Sequence, residues 1–175
     1  VIIVGAGPGG IYCAKELIDN KPNLSILLIE KGNPLDKRIC PITEGKTKQC
    51  INCNSCSIMN GFGGAGAFSD GKYNITNDFG GTLYEYIGKK HALELMQYVD
   101  EINMKYGGEG TNLYSTAGSK FKKICIQHGL HLLDASVRHL GTDINYVVLT
   151  NLYDYLKDKL DFYFDTPVES IVRID

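Results

Sequence analysis

An α/β architecture, with a parallel sheet flanked by helices, is the fold class this sequence predicts, and three observations predict it. An apolar run at residues 1–4, VIIV, leads directly into GAGPGG at residues 5–10. Ile11, Ala14, Leu17 and Ile18 then share one face at helical spacing, and Asn20 and Pro22 stop that helix. Residues 24–29, LSILLI, form a nearly continuous apolar run, the pattern of a strand buried on both faces of a parallel sheet. Strand, glycine turn, helix and strand make a βαβ unit of about 30 residues.

Composition bounds the rest. A chain of 175 residues with 43% hydrophobic content is long enough for one compact domain with its own core, and one domain is the expectation. The formal net charge is −2 and the basic residues are scattered, so no concentrated positive field exists for a nucleic acid. No run of about 18 apolar residues predicts a membrane span, and no basic segment ahead of a short apolar stretch predicts a signal peptide. A cytoplasmic protein is the expectation. The chain starts without Met on an apolar run and ends at residues 171–175 in what reads as an unfinished strand, so a partial domain, cut at both ends and lacking its substrate-covering portion, is expected.

Three segments follow. Residues 1–30 are the βαβ unit; residues 31–81, rich in Gly, Asn, Cys and Pro, read as a long irregular segment of the kind that binds something. Residues 82–175 return to regular structure, with helices predicted at 82–87, 91–106, 121–127 and 144–160. Strands are predicted at 130–137, 162–164 and 168–172. In the second of these helices Leu93, Met96, Val99 and Ile102 have core spacing, and Gly107 and Gly108 close it.

Gly5, Gly7 and Gly10 complete a GxGxxG, with Pro8 and Gly9 filling the turn. The first glycine permits a sharp turn, the second admits a pyrophosphate to the backbone, and the third lets helix and strand pack closely. Free N–H groups at the helix start, aided by its dipole, suit an anion. Glu30 ends the next strand about twenty positions after Gly10, where a carboxylate accepts hydrogen bonds from both ribose hydroxyls and repels a 2′-phosphate. A Rossmann-like dinucleotide-binding domain is the consequence; by itself this fingerprint does not separate FAD from NAD.

The residues after Glu30 resemble the two-dinucleotide-binding-domain flavoproteins, the glutathione reductase superfamily in its broad sense. Glu30, Lys31 and Gly32, followed by Arg38, look like that group's continuation, which implies an arginine near the diphosphate; Ala14 and Leu17 also fit its extended motif. More narrowly, GFGGAGAFSDGKYN at residues 61–74 resembles a bacterial family of FAD-dependent dehydrogenases related to the HI0933-like flavoproteins, as does HLGTD at residues 139–143. The resemblance implies FAD bound in extended form, with the second glycine segment near the flavin. Physically, Gly63, Gly64, Ala65, Gly66 and Ala67 leave so little side-chain volume that a flat ring could lie against backbone N–H groups, with Phe68, Ser69, Asp70 and Lys72 following. Asp70 and Lys72 read equally as a surface ion pair. By resemblance Val168 touches the adenine through its backbone; a plain sheet residue is the other reading.

Cys50, Cys53 and Cys56 form C-x2-C-x2-C, and Cys40 precedes Pro41. Four thiols this close resemble the ligand run of a [4Fe–4S] ferredoxin, although the Cys-Pro member comes first. Structural zinc, a redox disulfide and plain reduced thiols are the alternatives. Cys13 and Cys125 read as buried small hydrophobes. His91, His128, His131 and His139 lack ligand-like spacing with the thiols. The sequence thus predicts an FAD-dependent oxidoreductase with a small-molecule substrate or electron-transfer partner, NAD(P)H as a candidate co-substrate, and an iron–sulfur relay as an option. A non-catalytic dinucleotide-fold binding module and an NAD-binding dehydrogenase domain are the alternatives.

Overall fold

The computed structural model describes residues 1–173, and the last two residues of the predicted terminal strand lie outside them. The chain forms two compact units where composition led us to expect one: residues 1–69 with 146–175, and residues 70–145. The division follows from the long excursion between the second and third parallel strands, which carries enough apolar side chains to build a second core.

In the first unit β1 (Ile2–Val4) leads through the glycine turn into α1 (Pro8–Asn20) and returns as β2 (Leu27–Ile29). β1 and β2 pair in parallel, Ile3 opposite Leu28. Ile11 and Ala14 of α1 and Leu28 of β2 are fully buried, while Ile2 and Val4 remain more than half exposed, so β1 buries one face only. The apolar run at 24–29 had suggested a longer strand; Leu24 and Ser25 stay outside the ladder and only the last three residues pair.

The excursion contains β3 (Lys72–Ile75), α2 (Leu83–Ile87), α3 (Lys89–Asn103), β4 (Leu113–Ser115), α4 (Phe121–Gln127) and β5 (Ser136–His139). Its strands form an antiparallel sheet in the order β3, β5, β4, with Tyr73 opposite Arg138 and Tyr114 opposite Val137. This second sheet was only partly legible: β4 is exposed along its whole length and β5 shows no alternation, while β3 does alternate, with Tyr73 and Ile75 on its more buried face, but lies inside the segment read as irregular. Residues 130–135, predicted as strand, are irregular. Helix α3 buries Ala92 and Ile102 and ends in a π turn at Met104–Gly108, where Gly107 takes φ +126°, a left-handed conformation suited to glycine.

This unit holds a near-buried ion pair. Asp100 accepts from Arg138 Nε at 3.0 Å and Nη2 at 2.8 Å, and Arg138 Nη1 donates to Thr111 O at 2.7 Å. The hydrogen bond to Asp100 pushes the Arg138 pKa up. Both side chains keep only 13% and 11% exposure, so loss of one partner strands a charge with little water. Asp100→Ala is expected to lower stability by about 2–3 kcal/mol, less than for a fully buried pair. An unchanged urea midpoint would refute this.

Helix α5 (Gly141–Leu156) precedes β6 (Asp161–Tyr163), which pairs in parallel with β2 and completes the order β1, β2, β6. Val148, Leu152 and Leu156 are fully buried. Phe62 is also fully buried, edge-on to Tyr153 with centroids at 5.2 Å and to Phe162 at 6.0 Å. That aromatic cluster anchors the irregular segment 31–69 to the sheet; burying one such ring contributes roughly 1.5–3 kcal/mol. Residues 168–172 are irregular and exposed, not the predicted strand.

Candidate functional site

Gly5 sits directly after β1 at φ +98°, and its N–H donates to Ile29 O at 2.7 Å. Gly10 faces back on it: a Cβ there would stand 1.9 Å from Gly5 O, so helix and strand pack as the third glycine requires. At Gly5, Gly7 and Gly9, by contrast, a Cβ would meet nothing within 4 Å. Gly7 caps α1 without a side-chain hydrogen bond and Pro8 opens it. The amides of Gly9 and Gly10 precede the first helical hydrogen bond, from Ile11 N to Gly7 O at 3.0 Å. A helix start bare of side chains, with its dipole directed outward, accommodates a diphosphate.

Glu30, only 6% exposed, lies beside this turn. One carboxylate oxygen accepts from Ala6 N at 2.7 Å, the other from Gly32 N at 2.8 Å and Gly61 N at 2.9 Å. A carboxylate offers about four acceptor positions. Three are therefore taken by main chain, and Glu30 is first of all the joint between the glycine turn, the chain after β2 and the second glycine segment.

That second segment packs on the first. Gly63 N donates to Ala6 O at 2.8 Å, and a Cβ on Gly64 would come within 3.2 Å of Gly7 Cα. Gly63, at φ +87°, is strained for any other residue, and a Cβ there would stand 2.9 Å from Ala67 Cβ and 2.8 Å from Leu149 Cδ1. Gly64, Ala65, Gly66, Ala67 and Phe68 form a short 3-10 turn with Ala67 buried and Ala65 and Gly66 exposed. The smallness expected to admit a flat ring thus first serves close contact between two backbone loops. Ser69 is exposed, its hydroxyl on Gly66 O, and Asp70 and Lys72 form an exposed ion pair at 2.6 Å.

Arg38 is buried and its donors are engaged by protein. Nε donates to Ser57 O at 2.9 Å, Nη2 to Ile58 O at 2.8 Å, and Nη1 to Phe62 O at 2.7 Å and Gly64 O at 2.9 Å. Its guanidinium also covers the Phe68 ring, 4.8 Å from the centroid. Burial lowers its pKa, and the charge of Glu30 acts in the opposite direction. Arg38, which the resemblance implies lies near the diphosphate, clamps the segment between Cys56 and the second glycine turn.

At the carboxyl end of β1 and β2 these parts enclose a cavity of about 220 Å³ lined by Gly5, Glu30, Lys31, Gly61, Gly64 and Val168, together with Val4, Ile29, Met59, Asn60 and Thr166. Ligands of open α/β sheets bind at this edge. Six residues singled out in the sequence, Gly5, Glu30, Lys31, Gly61, Gly64 and Val168, meet here. Met59, Asn60 and Thr166 were not foreseen; Asn60 adjoins the GFGG motif, and no local signal marks Thr166, whose N–H reaches Glu30 O at 3.0 Å only through the tertiary fold.

Cys40, Cys50, Cys53 and Cys56 line a different cavity of the same unit, of about 240 Å³. Among the described residues no group of three or more His, Cys, Asp or Glu side chains is placed to hold a metal ion, so single zinc has no preformed ligand set. Cys13 is exposed and Cys125 half-buried, in contrast to the buried positions their helical patterns suggested. The four histidines are exposed.

A parallel sheet whose carboxyl edge carries a glycine turn, a bare helix start and a buried carboxylate defines a dinucleotide-binding α/β unit. The sequence model of the FAD-NAD(P)-binding family matches residues 2–103, and the chain belongs to that family. No curated protein matches the chain. Among solved structures it is similar to L-amino acid deaminase from Proteus vulgaris, at 13% identity and TM-score 0.37, over 94% of this chain and 39% of that one. It is also similar to L-amino acid deaminase from Proteus myxofaciens in complex with anthranilate, at 14% identity and TM-score 0.37, over 99% of this chain and 39% of that one. The chain therefore spans about two fifths of the length of these deaminases. Among the described residues no helix is long and apolar enough to cross a membrane.

Proposed function

We propose that the chain binds FAD in extended form and is the nucleotide-binding part of a flavin-dependent oxidoreductase, transferring hydride or electrons between a small-molecule substrate and FAD, with NAD(P)H or an electron-transfer protein as the second partner. The observation that carries this reading is the cavity at the sheet's carboxyl edge, where Gly5, Glu30, Gly61 and Gly64 meet beside the open start of α1. Preference for FAD over NAD rests on the resemblance of residues 30–38 and 61–74 to the FAD-dependent dehydrogenases. When bound, FAD supplies the redox chemistry at its isoalloxazine ring. The chain's own residues bind and orient: amides of Gly9 and Gly10 hold the diphosphate, Glu30 fixes the glycine turn and offers its remaining acceptor position to a ribose hydroxyl, and Val168 borders the adenine end. Gly63, Gly64, Ala65, Gly66, Ala67, Phe68 and Ser69 carry the cofactor onward from the diphosphate, with Pro8 and Lys31 at the margins.

Titration of the purified chain with FAD and with NAD, followed by flavin fluorescence and calorimetry, tests the reading. One-to-one FAD binding displaced by ADP is expected. NAD binding without FAD binding would replace it with the nicotinamide alternative, and binding of neither would remove it.

A further inference from the structure

We infer that the four-thiol cavity is a [4Fe–4S] cluster site, separate from the dinucleotide cleft. Its wall brings together Cys40, Cys50, Cys53 and Cys56 with the apolar Ile42 and Ile51, and no acidic, basic or imidazole side chain lines it. Thiolate without carboxylate selects a soft metal centre over a hard cation. A single tetrahedral zinc, with Zn–S bonds of about 2.3 Å, draws its sulfurs to within about 4 Å of each other. Among the described residues no three ligand-type side chains are placed to hold one metal ion, while all four cysteines line one cavity of about 240 Å³. Cysteines set around a shared space suit a body several ångströms across, and a C-x2-C-x2-C run with a Cys-Pro member is of the [4Fe–4S] kind.

The chain around the cavity is set for it. Asn52 takes φ +51°, a conformation rare outside glycine, in the turn between Cys50 and Cys53, and all three residues line the cavity. Cys56 is held by its own carbonyl, which accepts from Met59 N at 3.0 Å and Asn60 N at 2.8 Å. Thr47 Oγ1 is buried on the same wall without a hydrogen-bond partner. A buried hydroxyl without a partner is costly, and a thiolate or cluster sulfide is an acceptor it can satisfy. Loading is a ligand exchange without change of oxidation state: a preformed [4Fe–4S] core carrying four exogenous thiolates passes to the protein, four Fe–S(Cys) bonds replace four Fe–S(exogenous) bonds, and the cysteine protons leave on the released thiols.

The test is anaerobic transfer from a synthetic tetrathiolate [4Fe–4S] complex to the full chain. Four iron and four acid-labile sulfide per chain are expected, with visible absorbance bleached by dithionite. C53S and C56S should lose both, while C13S and C125S retain them. Because a ligand variant can fail to fold, alkylation of wild-type protein followed by mass spectrometry gives a second readout. Cys40, Cys50, Cys53 and Cys56 should be protected when loaded and reactive when stripped, with exposed Cys13 reactive in both states. No uptake, uptake unaffected in C53S and C56S, or equal alkylation in the two states overturns the assignment.

Discussion

Replacing Gly10 with alanine is expected to cost the first unit about 3 kcal/mol or more, since the new methyl would lie 1.9 Å from Gly5 O and 3.1 Å from Gly5 C, both main-chain atoms. Flexible side chains yield to such a contact; a strand end and a helix start do not. Against a typical total stability of about 5–15 kcal/mol, the loss should appear as a large fall in the denaturation midpoint, with dinucleotide binding lost alongside it. Gly7→Ala provides the contrast. Gly7 has φ −73°, accessible to alanine, and its Cβ meets no protein atom within 4 Å. Its stability should stay within about 0.5 kcal/mol of the parent. On the proposed reading FAD affinity should nevertheless fall at least tenfold, because the open space at Gly7 is where a diphosphate would approach. If Gly10→Ala unfolds at the parent's midpoint, the packing account of the turn is wrong.

Arg38→Met is expected to destabilise the same unit by about 3 kcal/mol, because buried carbonyls that lose their donor carry a desolvation penalty. The variant keeps the apolar stem but withdraws every donor from Ser57 O, Ile58 O, Phe62 O and Gly64 O. Arg38→Lys should recover less than half of the loss, since one ammonium cannot reach carbonyls spread over a planar fork. Limited proteolysis should show new cleavage between residues 48 and 60 in the methionine variant. A midpoint within experimental error of the parent, and no new cleavage, would mean that the clamp is dispensable.

The opening unit was readable because its determinants are local. Continuous apolar runs, helical spacing, a glycine turn and a strand-end carboxylate specify β1, α1 and β2 within thirty residues, and most of α3 and α5 follow from helical spacing. The second sheet was not readable in the same way. β4 and β5 hold their places through pairing with strands distant in sequence; nothing in LYS announces it, and only Ser136 and Val137 of β5 fall within a predicted strand.

The site divides along the same line. The sequence determined which residue types stand at which positions: Gly5, Gly7 and Gly10 as positions without side chains, Glu30 as the acid at the strand end, and four closely spaced thiols. Only the tertiary structure decided what each one touches. It turned Glu30 toward three main-chain amides, directed Arg38 to carbonyls, and laid Gly63 and Gly64 on the first glycine turn. Residue type limits which hydrogen bonds a group can make, but the choice among partners depends on which carbonyls and amides stand within about 3 Å once the chain has packed.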